Sequence, residues 1–240
     1  MPNNNNEPSL SNPISAITET FFNPLSVFNT LAVKNNWSWV PFFLLAFVLF
    51  FPPYLYYSVV DFDWFSQLSA DALLGDVSPA ERQMYMDAAN VSLIRLSQAL
   101  TNSLIAPIIV FAVLALYYNF ITRNDEKSVQ GFSDWYGAMW WMALPGLLNA
   151  LVAIILISFQ SENAQIHDNI MVPFSLAYIA NTTIASPMHS LFTAIRLDVF
   201  WSLYLGFICV RSWTNFSVAK ALTTVIAPYL LLLIVLIFSA

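Results

Sequence analysis

The sequence predicts an all-α, polytopic helical membrane protein, with five transmembrane helices and an N-terminal amphipathic helix in the interface. Three observations predict it. Of the 240 residues, 58% are hydrophobic and only 9% charged, whereas a soluble domain carries about 25% charge. Uncharged runs as long as a bilayer is thick recur, the clearest from Ala221 to Ala240. Tryptophan and tyrosine gather near the ends of such runs, as at Trp37, Trp39, Trp135 and Tyr136, the placement of an interfacial belt.

Residues 1–20 read as a disordered, solvated tail, and residues 21–240 as a single membrane domain. The opening MPNNNNEPSLSNP has neither the basic region nor the apolar run of a signal peptide. Asn23-Pro24 starts a short helix with Leu25, Phe28, Leu31 and Ala32 at helical spacing. It is too short and too polar to span, and such a face suits the headgroup plane. A helix packed against the membrane domain would carry the same pattern.

The first span is expected at about 37–60. Pro52 and Pro53 lie inside it and remove two backbone donors, so a kink is expected with carbonyls freed around Leu45 to Val48. Asp61 and Asp63 read as a solvated loop pair. Ser78-Pro79-Ala80-Glu81 is a capping box with proline at the first helical position. No obvious break follows before Pro107, so one long helix would project from the membrane and enter it as the second span, about 96–121. Arg123, Asp125, Glu126 and Lys127 close it in a charged loop.

The third span is expected at about 135–160, with Gly146 and Ala150 as a close-approach pair. Residues 161–169 form a polar loop, and 170–185 read as a surface or re-entrant segment. Ser186-Pro187 is a helix start and opens a hairpin that supplies the fourth and fifth spans, about 193–213 and 218–239. With five spans, Lys34, Arg123, Lys127, Arg211 and Lys220 share one side, against Arg82, Arg95 and Arg196 on the other. That bias places the N-terminus in the cytoplasm and the C-terminus in the periplasm.

The chemistry is sparse. The chain lacks a Gly-rich phosphate loop, a cysteine pair, a zinc-protease HExxH and a Gly-x-Ser-x-Gly elbow. His167 and His189 have no ligand-spaced partner, and Cys209 is the sole cysteine. No enzyme activity, cofactor or metal is expected. The net charge of −6, with scattered basic residues, argues against nucleic acid.

One polar cluster does emerge. Counting about 14 residues, roughly 21 Å of helix, inward from the aromatic end of each span reaches similar features. The fourth span arrives at Asp198, the third at Asn149, the second near Leu104 with Asn102 half a turn above, and the first at the helix break of Pro52 and Pro53. A lone carboxylate in hydrocarbon is costly or takes up a proton. Asn149 ranks first as its partner. Arg196, two residues away, could reach it by bending across the helix top, but ranks lower because it would lie about 200° around a shared helix. Asp198 then reads as a headgroup-level charge, as a fastener between helices, or as a ligand or ion site.

Several stretches carry a family resemblance: NPLSVFNTLAVKNNWSWVPFF, the SPAE box, GFSDWYGAMWWMALPGLL and RLDVFWSLYLGFICVRSWTNFSVAKAL. Together they resemble the Yip/YIPF-domain membrane proteins in a bacterial-looking form, over about residues 22–240. Asp198, Trp201, Gly206, Ser217, Ala219, Lys220 and Ala221 carry most of it, with Trp135 and Pro145. The resemblance implies five spans with a cytosolic N-terminus, and for bacterial members an inner-membrane location. Eukaryotic members bind Rab-type GTPases, but this chain lacks their Asp-Leu-Tyr-Gly-Pro signature, so that role is not carried over. The expected function is a non-catalytic integral membrane protein that organises membrane partners or bilayer shape. It would work with the lipid bilayer and with a membrane-protein partner or a second copy of itself. The alternative is a small transporter or lipid-handling protein with a polar site around Asp198.

Overall fold

The computed structural model describes residues 10–34, 36–75 and 77–239. Among them every regular element is helical, apart from two isolated bridges, Val60–Ala164 and Ser175–Arg196. Four helical stretches are long and apolar enough to cross a membrane: Trp39–Val59, Val91–Thr122, Phe132–Ser158 and Val218–Ser239. Chain contacts divide the protein into two compact units. One comprises Met1–Leu45, Pro107–Gly146 and Val199–Leu232; the other comprises Ala46–Ala106, Leu147–Asp198 and Leu233–Ala240.

The first unit begins with α1 (Pro13–Phe22) and α2 (Pro24–Leu31). Helix α1 falls within the stretch read as disordered, and residues 1–9 of that expectation lie outside the described residues. The correction has a local cause. Asn12 accepts from the Ser15 N–H at 2.8 Å, Pro13 supplies a preset first turn, and Ala16 and Thr20 are buried. In α2 the buried stripe is Val27, Phe28 and Thr30, while Leu25 is exposed. Of the residues that periodicity marked, Phe28 is fully buried and Leu25 is not.

The core of this unit is aromatic. Trp135, at the start of α8 (Phe132–Met142), stacks on Tyr118 of α7 (Ala106–Thr122) at 5.2 Å. It also meets Trp213, the last residue of α12 (Leu197–Trp213), edge to face at 4.8 Å. At Gly206 of α12 an added Cβ would stand 3.2 Å from Val225 and 3.4 Å from the Met142 sulfur. A close approach is thus found at Gly206, where α12 meets α13 (Val218–Ser239). The two charged loops are joined: Asp125 accepts from the Asn215 N–H at 2.9 Å.

The second unit holds most of α3 (Trp39–Val59), which runs unbroken through Pro52 and Pro53. Both prolines are buried, and the helix persists because each removes one donor and leaves the turns around it intact. Tyr56, Tyr57, Val60, Ile157 and Ile170 form the apolar core here. Helix α4 (Phe62–Leu74) was not foreseen. Asp61, read as a solvated loop residue, is its N-cap and accepts from the Trp64 N–H at 3.0 Å; that bond holds its carboxyl below the usual range.

The SPAE box forms as read, capping α5 (Pro79–Ala88). The long helix expected beyond it is interrupted at Ala89 and Asn90. Asn90 accepts from the N–H groups of Ser92 and Leu93, and so starts a new helix, α6 (Val91–Leu100). A π-turn, Thr101–Ile105, follows and continues into α7. The missing N–H of Pro107 lies just beyond it, and the wider turn accommodates the lost bond. Helix α9 (Gly146–Ser158) follows α8 after a break at Ala143 to Pro145.

Candidate functional site

The polar cluster is assembled around an irregular stretch between α9 and α12. It contains a 3₁₀ turn (Asp168–Met171) and two short helices, α10 (Leu176–Ile179) and α11 (His189–Ala194). The expected helix start at Ser186-Pro187 is realised later, at His189, and α11 stops before Ile195. Ile195 and Arg196 are therefore not helical. The Leu176 N–H donates to the Ile195 carbonyl at 2.9 Å, and the Leu197 N–H to the Phe174 carbonyl at 3.0 Å.

This break corrects the ranking of partners for Asp198. Arg196 precedes α12 rather than sharing it, so the helical offset does not apply. Its Nε donates to Asp198 Oδ1 at 3.0 Å, and its second nitrogen donates to Oδ2. Asp198 is 4% exposed and sits in the first turn of α12, where a carboxylate complements the helix dipole. The fork contact is the strong geometry for such a pair.

Asn149 is also buried, but it binds backbone instead. Its Oδ1 accepts from the Phe174 N–H at 3.1 Å, and its Nδ2 lies 3.5 Å from the Met171 carbonyl. The structure thus brings Asn149 and the Arg196–Asp198 pair to one backbone segment, residues 171–176, without joining their side chains. Asn102 is exposed in the π-turn, and its neighbour Ser103 is the buried residue there.

Sequence reasoning missed the other half of the network. Asn169, 4% exposed, donates to the carbonyls of Thr182 at 3.0 Å and Ala177 at 3.3 Å. His189 Nε2 is 3.1 Å from Asp168 Oδ2, which pushes the imidazole pKa up against the opposing effect of burial. The usable signal was a tight group of acid, amide and imidazole residues (His167, Asp168, Asn169) beside the apolar run from Ile170. Chemically these residues hold backbone and neutralise charge. Each carboxylate already faces a cation or an imidazole.

A family model described as the Yip1 domain matches residues 18–240. Neither a curated protein nor a solved structure gives a significant match.

Proposed function

The chain belongs to the Yip1 domain family, and from that premise we propose that it is a non-catalytic integral membrane protein that shapes and organises the bilayer. The carrying observation is how α1 and α2 are held. Trp213 Nε1 donates to the Phe28 carbonyl at 2.8 Å, the Ser212 hydroxyl meets Asn29 Oδ1 at 2.6 Å, and Phe21 packs edge to face on Trp201 at 5.4 Å. The same two helices leave Ile14, Phe22 and Leu25 exposed, with Val33 just beyond. A helix pair fixed to a membrane core and bearing uncovered apolar side chains acts as an interfacial wedge.

The wedge fits a five-crossing topology in which α12 is the fourth span. Its seventeen residues are capped by Asp198 and Arg211, and the Asp125–Asn215 contact gathers two connecting loops at one end. In this reading residues 21–240 act as one domain of a bacterial inner membrane, N-terminus cytoplasmic and C-terminus periplasmic. A membrane protein or a second copy joins the lipid as partner.

Two measurements test the wedge. Reconstituted into large vesicles, the protein should shrink or tubulate them in cryo-electron micrographs, and the pair Ile14→Asp with Phe22→Asp should leave them unchanged. A spin label at Phe22→Cys, in a Cys209→Ala background, should be more accessible to oxygen than to aqueous nickel. A water-exposed label sinks the reading. Solute uptake that is lost in Asp198→Asn would instead establish the transport alternative.

A further inference from the structure

The first unit contains a cavity of about 550 Å³, within the range of about 300–1,000 Å³ typical of small-molecule sites. It lies beside the start of α3, and its walls come from the turn after α2, from α3, from α7 and from α8. Its polar side carries Lys34 and Asp134; its apolar side carries Trp39, Phe42, Ile108 and Trp140. None of these residues belongs to the polar cluster around Asp198 or to the exposed apolar face of α1 and α2.

Two properties specify the occupant. First, the apolar side opens where membrane helices expose hydrocarbon-facing residues: Trp39, Phe43, Ile108 and Ile109 are all exposed. In a bilayer the molecule that reaches such an opening is a lipid. Second, the cavity's formal charges are one cation and one anion. Lys34 is exposed and makes no ion pair among the described residues. Asp134, also exposed, accepts from the Gly131 N–H at 2.9 Å through one oxygen, leaving a second oxygen on the same carboxylate.

We propose that this cavity is a binding site for a phosphoethanolamine glycerolipid. The lipid phosphate pairs with Lys34, and its primary ammonium meets Asp134 beside the face of Trp39. One acyl chain lies along Phe42, Ile108 and the Trp140 ring. A cation and an anion at one mouth match a zwitterionic headgroup. A purely anionic lipid would leave Asp134 opposed to like charge. A trimethylated headgroup would offer Asp134 no N–H donor.

The test uses the full chain in detergent micelles, with phosphatidylethanolamine, phosphatidylcholine and phosphatidylglycerol of identical acyl chains as probes. Native mass spectrometry reads the retained lipid. Ethanolamine lipid should be retained preferentially. Lys34→Gln and Asp134→Asn should each weaken that retention roughly tenfold, the loss of one charge-assisted hydrogen bond. Asp134→Asn keeps an acceptor for the Gly131 cap, so α8 should stay intact, checked by an unchanged melting temperature. Ile108→Trp should fill the apolar side and reduce retention of all three lipids. Soluble phosphoethanolamine should not compete. Equal retention of the three lipids, preference for the glycerol headgroup, indifference to both charge variants, or competition by the free headgroup would each overturn the proposal.

Discussion

The two compact units are held by opposite chemistry. In the first, tryptophans carry the core: Trp135, Trp140 and Trp141 are each no more than 2% exposed. Two indoles find acceptors, Trp141 at Ser38 and Trp213 at Phe28, while the N–H groups of Trp135 and Trp140 do not. In the second unit the decisive side chains are amides, acids and an imidazole: Asn149, Asn169, Asp168, His189 and Asp198. The backbone explains the contrast. Helices α7, α8, α12 and α13 satisfy their own N–H and C=O groups, so apolar faces can fill the space between them. The stretch from Ser161 to Arg196 is mostly irregular, and its buried backbone groups need side-chain partners. Aromatic stacking adds ~0.5–1.5 kcal/mol per pair beyond burial and offsets much of an unmet N–H. No such surplus exists for an open carbonyl in the irregular stretch.

The sharpest way to break this comparison is in the aromatic core. Trp135→Ala removes the stack on Tyr118 and the edge contact with Trp213 together, and should destabilise by about 3–5 kcal/mol. Unfolding in a detergent series should show it. Trp135→Phe, which keeps the face and deletes the unmet N–H, should recover most of the loss. A small effect from Trp135→Ala would mean that stacking does not organise the first unit.

The ion pair probes the second unit. Asp198→Leu leaves Arg196 without its carboxylate in a region where Asp198 is 4% exposed. Breaking a buried pair costs about 3–5 kcal/mol; the Arg196 side chain is 25% exposed, which lowers the expectation to about 2–4 kcal/mol. The double variant Asp198→Leu with Arg196→Met should recover much of that loss in the same unfolding assay. A double variant as unstable as the single one would show that the carboxylate does more than neutralise Arg196.

How much of this was legible follows the same division. Regular helices wrote themselves into the sequence: the span expected at 218–239 is the helix Val218–Ser239, and the SPAE box caps α5 as read. Those signals depend on hydropathy and on residues one turn apart. Breaks were harder. Asn90 ends the long-helix expectation through bonds to Ser92 and Leu93, and an asparagine within a polar helix gives no prior hint of capping rather than solvation. Depth counting reached Asp198 and Asn149 but also the exposed Asn102, and it gave neither their partners nor Asp168, Asn169 and His189. Arg196 reaches Asp198 because the chain leaves the helix at Ile195, where Leu176 takes the Ile195 carbonyl from nineteen residues earlier in the chain. A contact at that separation leaves no mark in periodicity.

Asn169 gives a smaller and more local probe. Asn169→Ala takes the amide donor from the Thr182 carbonyl, while the Ala177 carbonyl keeps the Thr182 N–H at 2.9 Å, and should cost about 1–3 kcal/mol. Hydrogen exchange should rise in residues 168–189 and stay unchanged in the aromatic unit. Asn169→Asp, which supplies acceptors where donors are needed, should be worse than alanine. Equal exchange across both units would dissolve the distinction between them.

The smallest expected effect is a pH dependence confined to the same stretch. His189 lies outside the four candidate spans and is 9% exposed. Its contact with Asp168 raises its pKa above the ordinary value of 6.5, with burial opposing the shift, the Asp168 charge adding to it and a backbone bond at Thr182 assisting. A raised folded pKa means that the folded form holds the proton more tightly than the unfolded form. The added stability is therefore complete below about pH 6.5, the unfolded value. It is lost as pH rises through the higher folded value. Hydrogen exchange in residues 168–189, corrected for its intrinsic pH dependence, should show stronger protection at about pH 5.5 than at about pH 8.5. His189→Gln keeps a donor toward Asp168 but cannot titrate, so it should flatten the difference while leaving protection at high pH nearly unchanged. Protection that grows with pH in the wild-type protein would show that desolvation, and not Asp168, governs the imidazole.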